Sequence, residues 1–540
     1  MLLDTAFPSR GWWAMAPLAL AAFFLILRGR RARGAAALGL CFGLGFFVPH
    51  LAWSGTYVGA VPWLALSVLE AGFIAALAAL IAVADRPIAR AGGAVLRSLA
   101  VAGLWVLQEA VRSRAPFGGF PWGRLAFSQS ESPLVGLASI GGAPLVSFAV
   151  ALAGAAIAAS ISELNPVLRR RRRARLVAVG AATSHRSPIA PIGGAAAVSS
   201  KPSRTARGLL VSLILVTVTL GAGEFIPRPS AGADVVNVAA VQGNVPRPGL
   251  DFNAERRAVL DNHAAATQDL AAAVAAGQRE QPDLVLWPEN ASDVDPLRDD
   301  AAAATIDAAA SAVSVPLLVG AVLQEPTDRL SNAGLVWVPG RGVVQRYIKQ
   351  RPVPFGEYVP YRSFFRRLSD KVDLVRRDFV AGTGTQPLVM GNARIGDLIC
   401  FEVAFDDLTR DSVRAGANLL VVQTNNATFG RSDESVQQLA MSRLRAVEYG
   451  RAVAHISTVG VSALILPDGT SVATSALFTQ KVLQSDLPLR DEQTIATRFG
   501  DRIEEGLVGV GLLAAAYGLL AAAFGAPAHL VPRKHRRRTT

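Results

Sequence analysis

The sequence predicts a polytopic α-helical membrane protein carrying one extracytoplasmic α/β domain, and three observations lead there. Seven apolar stretches approach the length of about 20 residues that crosses a bilayer as a helix. They run over 12–27, 35–53, 58–84, 94–111, 133–160, 208–226 and 506–525. Basic residues crowd into alternate connections between them, and one long segment, 227–505, has the mixed composition of a folded soluble domain. The chain of 540 residues is 51% hydrophobic and 18% charged, against about 25% charged in an average soluble domain. Such hydrophobicity excludes an intrinsically disordered chain. Two cysteines exclude a disulfide scaffold and a Cys-rich zinc module. The net charge of +13 leaves nucleic acid or membrane as the partner, and the placement of the charge decides.

The first span is followed by Arg28, Arg30, Arg31 and Arg33, and the third loop holds Arg86, Arg90 and Arg97. Residues 169–207 hold Arg169 to Arg173, Arg175, Arg186, Lys201, Arg204 and Arg207. The tail ends in Arg533, Lys534, Arg536, Arg537 and Arg538. These 22 residues fall on one side of the seven spans, whereas the opposite loops, apart from 227–505, hold Arg10, Arg112, Arg114 and Arg124. Lysine and arginine are retained in the cytoplasm, so the N-terminus and 227–505 are expected to face outward. The arginine run at 169–175 lacks interleaved aromatics and reads as a topology anchor, with no nucleic acid as partner. The first span has its positive charges after the apolar run, unlike a cleaved signal peptide. Gly39, Gly43 and Gly45 are expected to let helices approach closely. The expected organisation is therefore about five spans in 1–161, a flexible basic cytoplasmic linker at 162–207, a span at 208–226, the outward domain at 227–505, a span at 506–526 and a basic tail at 527–540.

The outward segment has 28 basic and 34 acidic residues, enough chain for one domain with a substantial core. Short apolar runs predict buried strands at Val235–Val241, Leu284–Trp287, Pro316–Val322, Gly334–Val338, Ile395–Ile399, Leu419–Val422 and Ala463–Leu466. Helical periodicity marks 254–276 and 435–449. Pro339-Gly340 predicts a hairpin turn. Strands interspersed with helices indicate a layered α/β domain.

Four places in it hold candidate chemistry. Leu286-Trp287-Pro288-Glu289 sets a carboxylate directly after a buried strand, where apolar surroundings raise its pKa and suit it to proton transfer; an ordinary acidic loop is the alternative. Tyr347-Ile348-Lys349 ends a strand ahead of Val353-Pro354-Phe355-Gly356-Glu357, and a strand-end lysine beside a pocket can hold an oxyanion; a surface hairpin is the alternative. Ile399-Cys400-Phe401-Glu402 places a thiol next to a carboxylate at a strand end. Free cysteines are usually inert core residues. Cys400 is nevertheless the sole cysteine of the outward segment, since Cys41 lies in a span, and an unpaired thiol in an oxidising compartment is a candidate nucleophile. Thr424 to Gly430 forms a polar loop before a helix, and His455 in the following strand is a rival general base.

In the order Glu289, Lys349, Cys400, with Trp-Pro-Glu, Pro-Phe-Gly-Glu and Cys-Phe-Glu contexts, these motifs resemble the nitrilase (carbon–nitrogen hydrolase) superfamily. With the flanking spans, Ala6-Phe7-Pro8, Gly11-Trp12-Trp13, Pro116-Phe117, Pro121-Trp122-Gly123 and Val241-Gln242-Gly243-Asn244, nearly the whole chain is similar to the apolipoprotein N-acyltransferase family of the bacterial plasma membrane. The resemblance implies a nitrilase-like αββα sandwich. It makes Cys400 the nucleophile, Glu289 the general base and Lys349 the residue that holds the tetrahedral intermediate. Glu357 and Glu402 fall on supporting carboxylates, and Asn332, Phe401 and Arg366 on positions of the substrate pocket or its mobile lid. It implies ping-pong transfer of an acyl chain from a phospholipid, through a thioester, to the α-amine of a diacylglyceryl-cysteine apolipoprotein, with no cofactor and no metal. The stretch 361–377 mixes aromatic and basic side chains and is expected to meet anionic headgroups at the outer leaflet.

The sequence departs from the family pattern in places. Phe401 stands where Tyr is common, and Asn425-Asn426-Ala427-Thr428-Phe429-Gly430 replaces a common Asn-Asp-Ala-Trp-Phe-Gly. A tryptophan expected near Phe252 is absent. Family members usually carry a span ahead of the Ala-Phe-Pro motif, and this chain begins almost at that motif. The departures resemble actinobacterial members, some of which are fused to, or work beside, a polyprenol-phosphate mannose synthase. The competing functions are a membrane-tethered amidase or nitrilase, a non-catalytic scaffold for that synthase, and transport. The last is disfavoured by how few ionisable groups the spans carry.

Overall fold

The computed structural model describes residues 1–182, 204–229, 232, 234–245 and 255–524. Residues 183–203 of the expected linker, the expected tail and Phe252 lie outside the described residues.

The apolar helices are α1 (Met15–Leu27), α2 (Ala32–His50), α3 (Ala60–Arg112), α4 (Ala138–Ala182), α5 (Arg204–Gly221) and, near the end of the chain, α11 (Ile495–Phe524). Among the described residues, four apolar stretches, within α2, α3, α4 and α11, are long enough by length and composition to cross a membrane, while α1 and 210–225 are shorter. Helix α3 has 53 residues but breaks at Gly93, whose φ of 67° and ψ of −152° are not helical. Ala84 and Gly103 would lie about 28 Å apart on a continuous helix. Yet an added Cβ on Gly518 would strike Ala84, and one on Gly511 would strike Gly103. Those two contacts sit about 10 Å apart along α11. The chain therefore folds back at Gly93, and α3 supplies the two spans expected at 58–84 and 94–111. Gly39 and Gly43 face α3 so closely that a Cβ would lie 2.6 Å from the Ala78 Cβ and 2.7 Å from the Ala71 Cα. This is the small-residue packing expected of apolar helices. Gly45 is less crowded and faces the N-terminus.

Two boundaries differ from expectation. Helix α4 continues through the arginine run to Ala182, and α5 begins at Arg204, so the linker is helical at both ends. Arg, Leu and Ala are strong helix formers, so a run rich in them can propagate a helix already nucleated. Helix α11 begins at Ile495, eleven residues before the apolar run. Its first turns bury Ala496, Thr497 and Gly500, and the Thr494 hydroxyl accepts from the Thr497 N–H at 3.1 Å as an N-cap.

The α/β domain between α5 and α11 has strands β1 (Asp234–Gln242), β2 (Leu284–Leu286), β3 (Leu317–Leu323), β4 (Ser331–Val338), β5 (Gly342–Ile348), β6 (Leu388–Met390), β7 (Ala393–Ile399), β8 (Leu419–Thr424), β9 (Ala452–Ser457), β10 (Ala463–Ile465), β11 (Ser471–Thr474) and β12 (Lys481–Leu489). Its helices are α6 (Arg256–Ala275), α7 (Asp300–Val313), the single turn α8 (Arg362–Phe365), α9 (Asp406–Arg414) and α10 (Glu434–Tyr449). Two six-stranded sheets form, β12-β1-β2-β3-β4-β5 and β11-β10-β9-β8-β7-β6. Each has three parallel central strands and antiparallel flanks, and Pro339-Gly340 turns the β4–β5 hairpin.

Alternation along the strands builds four layers. Val236, Val238 and Ala240 of β1 meet Leu419 and Val421 of β8 in the core between the sheets. Ala239 and Val241 point the other way, into a core shared with α6 and α7. Leu420 and Val422 of β8 also point outward, but there they join Met441 and Leu444 of α10 in one continuous core with the apolar helices. The sandwich is αββα, and its fourth layer is fused to the membrane helices.

Candidate active site

Glu289 follows β2 after Trp287 and Pro288, at a point where β3 passes unusually close. A Cβ on Gly320 would sit 2.1 Å from the Pro288 carbonyl oxygen, so glycine is required for that approach. The buried carboxylate of Glu289 accepts from Asn332 Nδ2 at 2.7 Å and Lys349 Nζ at 3.3 Å on Oε1. Its Oε2 accepts from the Asn425 N–H at 3.1 Å. Lys349 extends β5 by one residue, its N–H donating to the Asn332 carbonyl at 2.9 Å. That register puts both side chains on one face. Glu357 arrives on the loop after β5, its Oε1 accepting from Lys349 at 2.9 Å and Asn332 at 3.0 Å. Its Oε2 accepts from the Val353 N–H at 2.6 Å. Two carboxylates thus hold a single buried ammonium, and the Asn332 amide ties the two carboxylates together.

Cys400 ends β7 with φ at 57°. A side chain other than glycine is uncommon there, and such a sharp turn from strand to helix projects the residue out of the sheet. Cys400 stays half-buried and unpaired. Glu402 braces the turn from beneath. Fully buried, it accepts from the Ile399, Gln350 and Arg351 N–H groups at 2.8, 2.7 and 3.0 Å. It also accepts from the Tyr347 hydroxyl at 3.0 Å. Phe401 points the opposite way and stacks on Phe120 and Trp122, ring centroids 5.5 and 6.1 Å apart.

The electrostatics couple the three groups. Burial raises the Cys400 thiol well above its ordinary value, Glu289 raises it further, and Lys349 opposes both. Burial also raises Glu289, against Lys349. Burial would lower Lys349, but Glu357 and Glu289 outweigh it and keep the ammonium charged. The resting thiol is therefore neutral, beside a carboxylate of raised basicity and a fixed cation. Such a set can transfer a proton from sulfur to carboxylate and hold negative charge that develops on a bound carbonyl.

The structure thus gathers Glu289, Lys349, Cys400, Glu357, Glu402 and Asn332 around one site, while Phe401 turns away to Phe120 and Trp122. Arg366 is not brought to it. Just after α8, its side chain is 62% exposed and pairs with Asp373 at 2.7 Å. His455 is fully buried, its Nδ1 bound to the Ser442 hydroxyl at 2.9 Å, and burial lowers it to about 3. No hydrogen bond ties it to the thiol among the described residues. Sequence reasoning passed over Gln438, whose Nε2 lies 3.7 Å from Cys400 Sγ, because nothing in a glutamine of a helical run signals contact with a distant strand end. The sequence of Thr424, Asn425 and Asn426 shows a polar loop but no specific role, and the structure brings the Asn425 N–H to Glu289.

A four-layer sandwich with a carboxylate, lysine and thiol at its strand ends, fused to apolar helices, defines a membrane-bound carbon–nitrogen hydrolase fold. Residues 237–497 match the carbon-nitrogen hydrolase family, and residues 1–156 match the apolipoprotein N-acyltransferase N-terminal domain. The chain is 41% identical over 528 residues to the apolipoprotein N-acyltransferase of Mycolicibacterium smegmatis, covering 96% of this chain and 83% of that protein. It is 31% identical to the one from Pseudomonas syringae, covering 89% and 88%. A crystallised amidase from Nesterenkonia sp. is 20% identical, covering 52% of this chain and 98% of that one, with a TM-score of 0.37. The chain belongs to the apolipoprotein N-acyltransferase family, a family of membrane acyltransferases.

Proposed function

We propose that this protein N-acylates the α-amine of an S-diacylglyceryl-cysteine at the N-terminus of apolipoproteins, taking the acyl chain from a phospholipid through a thioester on Cys400. The observation that carries this reading is the Cys400 thiol on a left-handed turn, electrostatically coupled to Glu289 and Lys349, in a domain whose outer helical layer shares its core with apolar helices.

In the first half-reaction Glu289 takes the thiol proton, and Sγ attacks the ester carbonyl of the donor. The carbonyl oxygen becomes an oxyanion, held by Lys349. Collapse breaks the acyl C–O bond, and the leaving lysophospholipid oxygen takes the proton back from Glu289. In the second, the acceptor amine attacks the thioester and gives a proton to Glu289. The C–S bond breaks, the amide is released, and the proton returns to Cys400. Glu357 and Asn332 hold Lys349 and Glu289 in place, and Glu402 holds the Cys400 turn. Phe401 lines the pocket wall, and Arg366 belongs to the lid over 361–377. The catalytic domain faces the extracytoplasmic side of a multi-pass bilayer topology, supported by the basic loops. A polyprenol-phosphate mannose synthase is proposed as a working partner on resemblance alone, and co-purification tests it.

The test is intact-mass measurement of the detergent-solubilised protein after incubation with labelled phospholipid. The expected result is one acyl increment on the wild type, none on Cys400→Ala, and loss of the increment when a diacylglyceryl-cysteine peptide is added. An unmodified wild type that still acylates the peptide would falsify the covalent route. Loss of the increment to water without an acceptor would favour a tethered amidase. Impermeant thiol labelling of Cys400 in sealed cells tests the orientation.

A further inference from the structure

We propose that Gln438 is a catalytic residue that stabilises the Cys400 thiolate, and that Asn426 sets the direction in which its amide points. This rests on the reading of Cys400 as the nucleophile. Gln438 is fully buried on the inner face of α10, and its Nε2 donates toward Cys400 Sγ at 3.7 Å. The direction of a glutamine amide is decided by its neighbours. Here Gln438 Oε1 accepts from Thr424 Oγ1 at 2.9 Å and from Asn426 Nδ2 at 3.0 Å. The Thr424 hydroxyl could serve either way, but Asn426 Nδ2 can only donate, so Gln438 Oε1 is drawn to it and the amide nitrogen is left for the sulfur.

Asn426 is itself over-determined. Its φ is 59°, its Nδ2 also donates to Glu434 Oε2 at 2.6 Å, and its Oδ1 accepts from Ser457 Oγ at 2.6 Å. The chain Ser457–Asn426–Gln438–Cys400 therefore has one consistent direction of donation, ending on sulfur. A thiol gains little from an N–H donor and a thiolate gains much more, because hydrogen bonds to charged groups are the stronger ones. Gln438 thus acts selectively on the state that attacks. The position of Asn426 explains why an amide matters there. An aspartate would present only acceptors to Gln438 Oε1, and the amide would turn its oxygen toward the sulfur.

The experiment is the pH dependence of Cys400 alkylation by iodoacetamide in the full-length protein in detergent, followed by intact mass. Acyl-adduct formation from labelled phospholipid is measured in parallel. Removing the donor with Gln438→Leu is expected to raise the alkylation midpoint by about one to two pH units. Asn426→Asp, which leaves Gln438 in place and inverts it, is expected to raise it in the same direction. Gln438→Glu, neutral and able to donate only when protonated, is expected to lose reactivity as pH rises. Unchanged midpoints in Gln438→Leu and Asn426→Asp overturn the proposal. So does a Gln438→Glu protein that alkylates with the wild-type midpoint. If Gln438→Leu does not fold, Asn426→Asp decides alone. A protein that alkylates as expected but never forms an acyl adduct overturns the nucleophile reading, and the two failures are thereby distinguished.

Discussion

At the scale of single residues, the site is a set of groups each held in an unfavourable state by its neighbours. Lys349 remains charged inside the protein because Glu289 and Glu357 lie at 3.3 and 2.9 Å. Removing that cation with Lys349→Ala is expected to slow both half-reactions by about 10²–10³-fold. Glu289→Gln is expected to slow acyl-adduct formation by about 10²–10⁴-fold, both measured by quenched-flow mass spectrometry. Glu434 shows the pH consequence of burial. Burial raises it to about 8, against the Asn426 hydrogen bond and with Glu289, so the folded protein holds its proton at neutral pH. The unfolded chain releases that proton near 4.5. Between these values the folded state binds more protons, so stability falls as pH rises from about 4.5 to 8. Glu434→Gln is expected to flatten that slope in thermal melts across the window, and an unaltered slope would count against it.

At the scale of elements, the active geometry depends on strand ends and the loops that leave them. The approach of β3 to the Glu289 loop tolerates no side chain at Gly320. Gly320→Ala is expected to cost about 1–3 kcal/mol of stability and to lower adduct formation, read by denaturant melts and the mass assay. The segment 361–377 shows a different balance. Phe117, in the loop after α3, contacts Phe355, Tyr361 and Phe365 at 5.8, 6.2 and 6.1 Å between centroids. Tyr361 and Leu368 are 75% and 69% exposed, beside Arg366, Arg367, Lys371, Arg376 and Arg377. Exposed aromatic and basic groups anchored to the loop after a span suit an anionic membrane surface. Reversing charge at Arg366 and Arg367 to Glu is expected to reduce activity on anionic vesicles and leave it nearly unchanged on zwitterionic ones. Equal effects on both would remove the headgroup role.

For the whole molecule, the question is what fixes the α/β domain to the apolar helices. A buried chain of charges crosses the join. Arg124 Nη1 lies 2.7 Å from Asp406, Asp406 lies 2.7 Å from Arg445, and Arg445 also pairs with Glu448. Glu448 accepts in turn from the Ala143 N–H at 3.3 Å, at the break in α4. Burial opposes ionisation of Asp406, but Arg124 and Arg445 outweigh it and hold its carboxyl below the usual range. Indole N–H groups of Trp53 and Trp122 donate to Gln437 on α10 at 3.2 and 2.7 Å. The same helix carries Gln438 to Cys400. Asp406→Asn leaves two guanidinium groups facing a neutral amide and is expected to cost about 3–5 kcal/mol. Loss of the thermal transition shared by domain and helices would report it.

Much of this was legible in one dimension, because hydropathy and alternation are local properties. Apolar runs, the hairpin at Pro339-Gly340 and the strand ends carrying Glu289, Lys349 and Cys400 each follow from residues adjacent in sequence. The short strands β6 and β11, the helices α7 and α9, and the early start of α11 did not show, since their apolar content is too brief or too interrupted to give a periodic signal. The sequence alone determined a membrane-bound chain with a layered α/β domain and named the groups that can do acyl chemistry. Only the tertiary structure decided that Arg366 stands apart from them, that Glu402 braces the Cys400 turn and that Gln438 reaches its sulfur. Those are contacts between segments tens of residues apart, set by the crossing of two sheets and one helix, which no local pattern of side chains encodes.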